Sequence, residues 1–535
     1  MADTQVLIVG AGPVGLTLAV DLGKRGIRCT LIEQKDAPAF LPKMERCNAR
    51  TMELYRRMGI AERVRAAGLP RHCPMDVFIV LSLAEPPLWR LPFPSVQQAE
   101  AEIAASTDAA MPLEPYQLIS QYTLEPLLKS IAEELPSVSV RYGHELTAFT
   151  DNGHSVIGHV RRSDGTTLDI TADYLVGCDG GGSGVRRQLD IKLQGEGNLL
   201  QFRQALYRCD DLYERIPVGK GRHYHVADAN STFLITQDST RHFTLHSIVD
   251  SDPEMDVMLE RVVAIPFKYE RLSCAPWRQN LLIADSYGRG RVFLAGDAVH
   301  LVIPTGGLGM NTGVGDAVDL GWKLAATLKG FGGPNLLASY GIERRQVGDR
   351  NVAASRFAAG GRRKWRSMYR PNIRDKTPEG EETRQNLIAV AEVEQRKSNE
   401  MIGAELGYRY VGSPLIWPEA GEAPEHDFMT YVPSTWPGTR LPHVWLEDHT
   451  AVQDRIGYGD HYTLLRLDGQ ADSGGLDKAF AAISAPFKML AFDDAHAREI
   501  YGHDLLLLRP DMHVAWRGNA APEDAVKLAR MATGH

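Results

Sequence analysis

The chain has 535 residues, 44% of them hydrophobic and 24% charged, and a formal net charge of -8. This is enough chain for two or three domains with substantial cores, and its acidic balance excludes a general nucleic-acid binder, which needs a face-wide excess of Lys and Arg to release counterions. Apolar runs such as 505–508 are far too short to span a bilayer and the N-terminus enters a strand without a signal-peptide pattern, so no integral membrane association and a cytoplasmic location are expected.

Residues 6–9 form an apolar run of strand length, Gly10, Gly12 and Gly15 follow as G-x-G-x-x-G around Pro13, and residues 16–22 carry helical spacing. Gly10 permits a tight turn, Gly12 lets backbone approach a pyrophosphate at the helix N-terminus, and Gly15 lets helix and sheet pack closely. A second strand, 28–32, ends at Glu33 and Gln34, where an acid accepts hydrogen bonds from ribose hydroxyls. At this point FAD and NAD both remain open.

Residues 175–189, LVGCDGGGSGVRRQL, read alone as a strand, a turn and a short helix. The region 195–290 alternates in strand fashion, as over 221–249, where several polar and aromatic side chains are candidates to face a substrate pocket, alternation alone not selecting among them. His223 and His225 stand two apart and so share one face. No third ligand has suitable spacing, and no metal is expected. Residues 292–295 read as a strand ending at Gly296-Asp297, followed by a glycine-rich loop and a helical run over 313–328. No second nucleotide fold is implied, since strand and acid do not follow in order.

The charges of 336–357 read as a solvated helical face. The basic run from 362, with Trp365 and Tyr369 interleaved, turns acidic and is broken by Pro371 and Pro378, which marks a mobile or interface segment rather than a nucleic-acid site. Residues 412–446 are rich in Pro and Gly and read as a linker, after which short strands and helices alternate in a small α/β unit. Cys29, Cys47, Cys73, Cys178, Cys209 and Cys274 lie far apart without a C-x-x-C pair, so neither a zinc site nor a redox dithiol is written here.

Taken in order, these motifs resemble the FAD-dependent aromatic hydroxylases, the single-component flavoprotein monooxygenases of the p-hydroxybenzoate and phenol hydroxylase type. The resemblance is carried by Gly10, Gly12 and Gly15, by Asp179, Gly180, Ser183, Val185 and Arg186, by Gly296-Asp297, and by the loop Pro304, Gly306, Gly307, Gly309, Met310 and Asn311. It covers nearly the whole chain. It implies an α/β fold: a discontinuous Rossmann-like FAD-binding domain (1–75, 110–190 and 285–400) with an inserted mixed β-sheet substrate domain (76–109 and 191–284). A linker (401–440) and a thioredoxin-like C-terminal domain (441–535) follow, the latter without its active-site cysteines because none follows Cys274. A homodimer is expected.

Carried over residue by residue, the resemblance implies that Asp297 reaches the ribityl and pyrophosphate region of FAD, that 304–311 line the isoalloxazine through bare backbone, and that Asp179 and Arg186 serve FAD and the pyridine nucleotide. Gln121 takes the place of a Gln on the flavin side. Lys43 stands where relatives have Arg, which leaves open whether Lys43 or Arg46 meets the pyrophosphate, since Lys lacks a bidentate fork. Glu45 aligns with an Asp that helps deprotonate phenol. Glu45, His225 and Tyr207 are therefore the catalytic candidates, a surface carboxylate paired with Arg46 or Lys43 being the alternative for Glu45. The implied activity is hydroxylation of a phenolic ring with NADPH or NADH and O2 through a flavin C4a-hydroperoxide. The substrate is expected to be a hydroxyphenyl acid or simple phenol of aromatic catabolism, or alternatively a larger polyketide phenol; a non-catalytic FAD-binding sensor is the remaining alternative.

Overall fold

The computed structural model describes residues 2–535 except Gln470. Its first layer is a parallel sheet in which Thr4–Val9 pairs on one side with Cys29–Ile32 and on the other with Thr167–Gly177, while Val138–Arg141 and Val292–Leu294 extend it outward. Strands buried on both faces read as continuous apolar runs, and Leu7 and Ile8 are wholly buried. The helix Pro13–Lys24 opens directly after the glycine turn. Gly10 has φ +106°, and a Cβ there would sit 2.4 Å from the Cys178 carbonyl oxygen; one on Gly15 would sit 2.0 Å from that of Gly10. Both glycines are thus demanded by the turn itself.

The second layer is a seven-stranded mixed sheet running 270–278, 201–208, 242–247, 233–236, 223–226, 77–80 and 89–91. All neighbours are antiparallel except His223–Val226 against Val77–Val80. Period-2 alternation splits it into two faces. Ala205, Tyr207, Tyr224, Leu234, Phe243 and Leu245 pack on Met255, Leu259 and Val262 of the helix Asp252–Val263. Phe202, Gln204, His223, Phe233, Thr244 and His246 face a cleft between the two layers.

A helix of 33 residues, Pro334–Arg366, runs from the nucleotide layer to the substrate sheet and delivers Trp365 into an apolar cluster with Ile79 and Leu387. Its charges are not the solvated face that their spacing suggests. Glu343 and Arg344 are 0% and 1% exposed, because the C-terminal unit covers that side. Arg509 joins Glu343 through Nη1 at 2.5 Å, Asp511 at 2.6 Å and Asp319 at 3.2 Å, and Lys323 reaches Asp319 at 2.7 Å. The basic run after 362 likewise ends this helix against the substrate sheet rather than hanging free.

The C-terminal unit is a four-stranded sheet in the order 487–491, 462–466, 505–508 and 514–518. The first pair is parallel and joined by the helix Leu476–Ala482; the last forms a hairpin, and Ala525–Ala532 closes the unit. This is a thioredoxin-like arrangement. The Pro- and Gly-rich stretch before it has little regular structure but is firmly packed: Glu405 reaches Arg46, and Arg440 pairs with Glu53 in the interior. Among the described residues no helix is long and apolar enough to cross a membrane.

Candidate active site

One cavity of about 1220 Å³ runs from the glycine turn to the substrate sheet. At its nucleotide end the helix Pro13–Lys24 begins at Gly12 with no side-chain cap, so its first N–H groups face the cavity. A Cβ on Gly12 would meet nothing nearer than Glu125 Oε1 at 4.0 Å; here the glycine leaves room for a ligand rather than for protein. Glu33 lines the cavity while its Oε2 accepts from Ala11 N–H at 2.9 Å, which ties the acid to the turn. Gln34 lies beside it, and Gln121 donates to Glu125 at 2.6 Å on the opposite wall.

Further along, Asp179 lines the cavity with Oδ1 buried and without a partner, while Oδ2 accepts from Val185 N–H at 3.2 Å. Buried acceptors are almost always satisfied, so this oxygen marks the place of an external hydroxyl donor. Asp297 projects into the same space from the turn Gly296–Ala298, its carboxyl open to the cavity but hemmed in by protein, so that desolvation raises its pKa. Gly296 itself, at φ +66°, packs on Val14 and shapes the turn without lining the cavity. Arg186 also turns inward, donating to the carbonyls of Ala298 at 2.8 Å and Gly181 at 3.0 Å. It braces the two acid-bearing turns, and its neighbour Arg187 lines the cavity instead.

The loop Pro304–Asn311 forms the middle of the cavity, and the helix Gly309–Leu328 starts inside it, one turn earlier than its apolar spacing suggests. Gly307 has φ +66° and donates to the Pro304 carbonyl at 2.9 Å. Asn311 locks the loop: Nδ2 donates to Gly307 O at 2.6 Å and Oδ1 accepts from Asn48 N–H at 2.9 Å. Met310 adds an apolar edge. The two candidate cations separate here. Arg46 is buried beneath the loop, donating to Gly306 O at 2.6 Å and pairing with Glu405 at 3.4 Å, whereas Lys43 is exposed along the cavity wall.

At the substrate end Glu45 meets His223, whose Nε2 lies 2.9 and 3.0 Å from the two carboxylate oxygens. Burial lowers the pKa of His223. At neutral pH the ring is therefore neutral and donates Nε2–H to Glu45. Burial on its own would raise Glu45, but the contact with His223 first, and then the charges of Arg222 and Arg46, hold it below the usual carboxylate range. Phe202 stacks on Trp277 at 5.1 Å and His246 on Phe233 at 4.5 Å, making an aromatic wall. Burial pushes His246 down to about 3, so it too is neutral.

Two of the three catalytic candidates lie elsewhere. Tyr207 sits on the far face of the sheet, where its hydroxyl donates to Asp256 at 3.0 Å. The bulge beside it does not return it to the cleft side. His225 shares the cleft face but is covered by Trp365, 6.3 Å away centroid to centroid, and does not line the cavity. His223 and His246 take the places facing the ligand space. Alternation pointed to this face, but only register, Phe233 opposite His246 and His223 opposite Ile235, shows which side chains reach the opening.

Uncapped helix starts, bare glycine backbone, open acids and a second, aromatic-lined compartment define a dinucleotide flavoprotein with a separate substrate chamber. Comparison with known proteins agrees: residues 3–355 match the family described as FAD binding domain, and residues 434–534 match the aromatic-ring hydroxylase C-terminal domain. The chain is 32% identical to the FAD-dependent monooxygenase apdD of Emericella nidulans over 99% of its own length and 90% of the relative's. It is 31% identical to aklavinone 12-hydroxylase RdmE of Streptomyces purpurascens, covering 98% of this chain and 97% of the other. The solved structure titled chromopyrrolic acid-soaked RebC with bound 7-carboxy-K252c superposes with a TM-score of 0.90 at 31% identity, covering 99% of both chains. The protein belongs to the FAD-dependent aromatic-ring monooxygenases.

Proposed function

We propose that this enzyme hydroxylates a phenolic ring at the expense of NADH or NADPH and O2, with the ring held between the loop 304–311 and the substrate sheet. The observation that carries the reading is the Glu45–His223 pair at the substrate end of a cavity whose other end fits FAD. Bound FAD supplies the electron transfer and the dioxygen activation. Asp179 Oδ1 and Asp297 would accept from its ribityl hydroxyls and Glu33 from its ribose, while Lys43 rather than Arg46 would meet its pyrophosphate, since Arg46 is committed to the loop from below. The helix that starts at Gly309 inside the cavity would offer its positive N-terminal dipole to the flavin ring.

The chain's own contribution is to activate and shelter the ring. A phenol hydroxyl next to Glu45 donates to the carboxylate, and as its proton moves toward that oxygen, electron density enters the ring, with His223 Nε2–H steadying the carboxylate's other oxygen. Phe202, Phe233 and Trp277 exclude water and orient the ring plane. The volume accommodates FAD together with a polycyclic phenol as readily as with a single ring, so a polyketide-type phenol fits as well as a hydroxyphenyl acid. The test is NADH and NADPH oxidation by the FAD-loaded enzyme with mono- and polycyclic phenols, titrating hydrogen peroxide against hydroxylated product. Phenol-stimulated oxidation with matching product is expected; bound FAD with no aromatic stimulation by either nucleotide would favour a sensor.

A further inference from the structure

The substrate end of the cavity carries more positive charge than the acids facing it among the described residues balance. Arg222, Arg362 and Arg366 all line it. Arg222 is 1% exposed, lies over the rings of Phe93 and Tyr116, and donates from Nη2 to Asn399 Oδ1 at 3.0 Å, while its Nε is buried without a partner. Arg362 lies over the Phe233 ring at 5.2 Å, its Nε is also unpartnered, and no hydrogen bond or ion pair holds its guanidinium among the described residues. Arg366 is fastened to the carbonyls of Val226 and Thr232 at 3.1 and 3.0 Å.

The groups facing this cluster from every side leave it positive. Glu45, beside the neutral His223, keeps its charge and faces Arg222 and Arg362, while Glu405 is paired with Arg46. Asp228, near Arg366, accepts through Oδ1 from the N–H groups of Asn230 and Thr232. His225 and His246 are held neutral by burial. Arg362 and Arg366 also stand at i and i+4 on one helix, a spacing at which like charges destabilise. The helix dipole does not explain them, because the exposed Lys364 in the same turn serves it equally, and Arg363, though exposed, adds a further cation to the cavity wall. A guanidinium without an ion pair is expensive to keep when buried, as Arg222 is, or half-buried, as Arg362 is, and a local conflict of this kind marks a binding position.

We propose that Arg222 and Arg362 form an anion subsite that binds a carboxylate on the aromatic substrate. The fork geometry of two guanidiniums matches a planar carboxylate, and the aromatic wall of Phe233 and His246 holds the ring that bears it. This rests on the hydroxylase reading above and narrows it: the substrate is a phenolic acid, of one ring or several, and not a neutral phenol.

The test compares hydroxybenzoic, hydroxyphenylacetic and hydroxycinnamic acids with their methyl esters, using flavin absorbance perturbation for binding and NAD(P)H oxidation for turnover. With the FAD-loaded enzyme at least one acid is expected to bind about tenfold or more tighter than its ester, as for a charge-assisted pair. Arg362→Gln should erase that preference, weakening the acid while leaving the ester within about twofold, and Arg362→Lys should restore part of it. Arg362 makes no internal hydrogen bond, so FAD content should be unchanged; Arg362→Met is the second variant should Gln disturb packing. Esters or neutral phenols binding as tightly as every acid, or Arg362→Gln weakening acid and ester alike, would overturn the subsite while leaving the hydroxylase reading intact. Absence of stimulation by any aromatic would defeat the hydroxylase reading, and the subsite with it.

Discussion

Glu45 and Asp297 are two carboxyls in one cavity whose surroundings drive them apart: one kept ionised among cations, the other pushed up by desolvation. Their roles separate in the same way. Glu45→Gln keeps the shape and the His223 contact but removes the charge; hydroxylation is expected to slow by about 100-fold or more, in the range of a lost general base, while FAD binding holds. Stopped-flow product formation against flavin content checks this, and equal turnover removes Glu45 from the mechanism. Asp297→Ala should do the reverse, weakening FAD about 10- to 100-fold through loss of a charge-assisted hydrogen bond; normal flavin retention and reduction kinetics would refute that role. Glu45 was legible in the sequence by resemblance. His223 as its partner was not, because two histidines of one strand share a face and only packing shows that Trp365 covers His225.

At the scale of elements, the loop 304–311 is held from both sides. Asn311 ties it to its own helix start, and Arg46 props it from beneath through Gly306, with Glu405 from the otherwise irregular segment completing the prop. A Cβ on Gly307 would come within 2.6 Å of Arg46 Nε, which is why bare backbone is needed there. Arg46→Met should therefore loosen the flavin bed rather than remove a phosphate contact. The expected loss is about 1.5–3 kcal/mol of stability, the value of hydrogen bonds to a charged group, with raised fluorescence of bound FAD. Urea unfolding and flavin fluorescence measure the two, and an unchanged value in both would return Arg46 to the pyrophosphate. The strands and the glycine turn were readable because period 2 and φ-restricted glycines are local properties. The packing of residues 401–440 was not, since proline and glycine content reports lack of repetition, not lack of contacts.

At the scale of the molecule, the C-terminal unit is bolted on by charge. Arg509 is 1% exposed and meets Glu343, Asp319 and Asp511. Removing one partner from such a network leaves the rest buried and uncompensated, so Arg509→Leu is expected to destabilise by about 3–5 kcal/mol, read as a lower unfolding midpoint. Acid should act on the same scale. Burial pushes His246 to about 3 and His443 and His513 to about 4. Between those values and about 6.5 the unfolded chain binds protons that the folded one refuses, so stability falls as pH drops through that window. Each such histidine adds a slope of up to about 1.4 kcal/mol per pH unit. Unfolding free energies at pH 7.5, 6 and 5 check the sign; a stability that rises on acidification would refute it.

The sequence by itself determined the nucleotide turn, the flavin loop, the family, and the absence of a redox dithiol in the C-terminal unit, because each is written in contiguous residues whose backbone demands are local. Tertiary structure alone decided which charges are buried and which side chains share the cavity. Glu343 and Arg344 look solvated along their helix until a domain more than 100 residues downstream covers them. Arg222 and Arg362 are 140 residues apart and line one cavity only because the end of a long helix reaches the open face of the substrate sheet. Proximity of that kind depends on register and helix crossing, which no local pattern encodes.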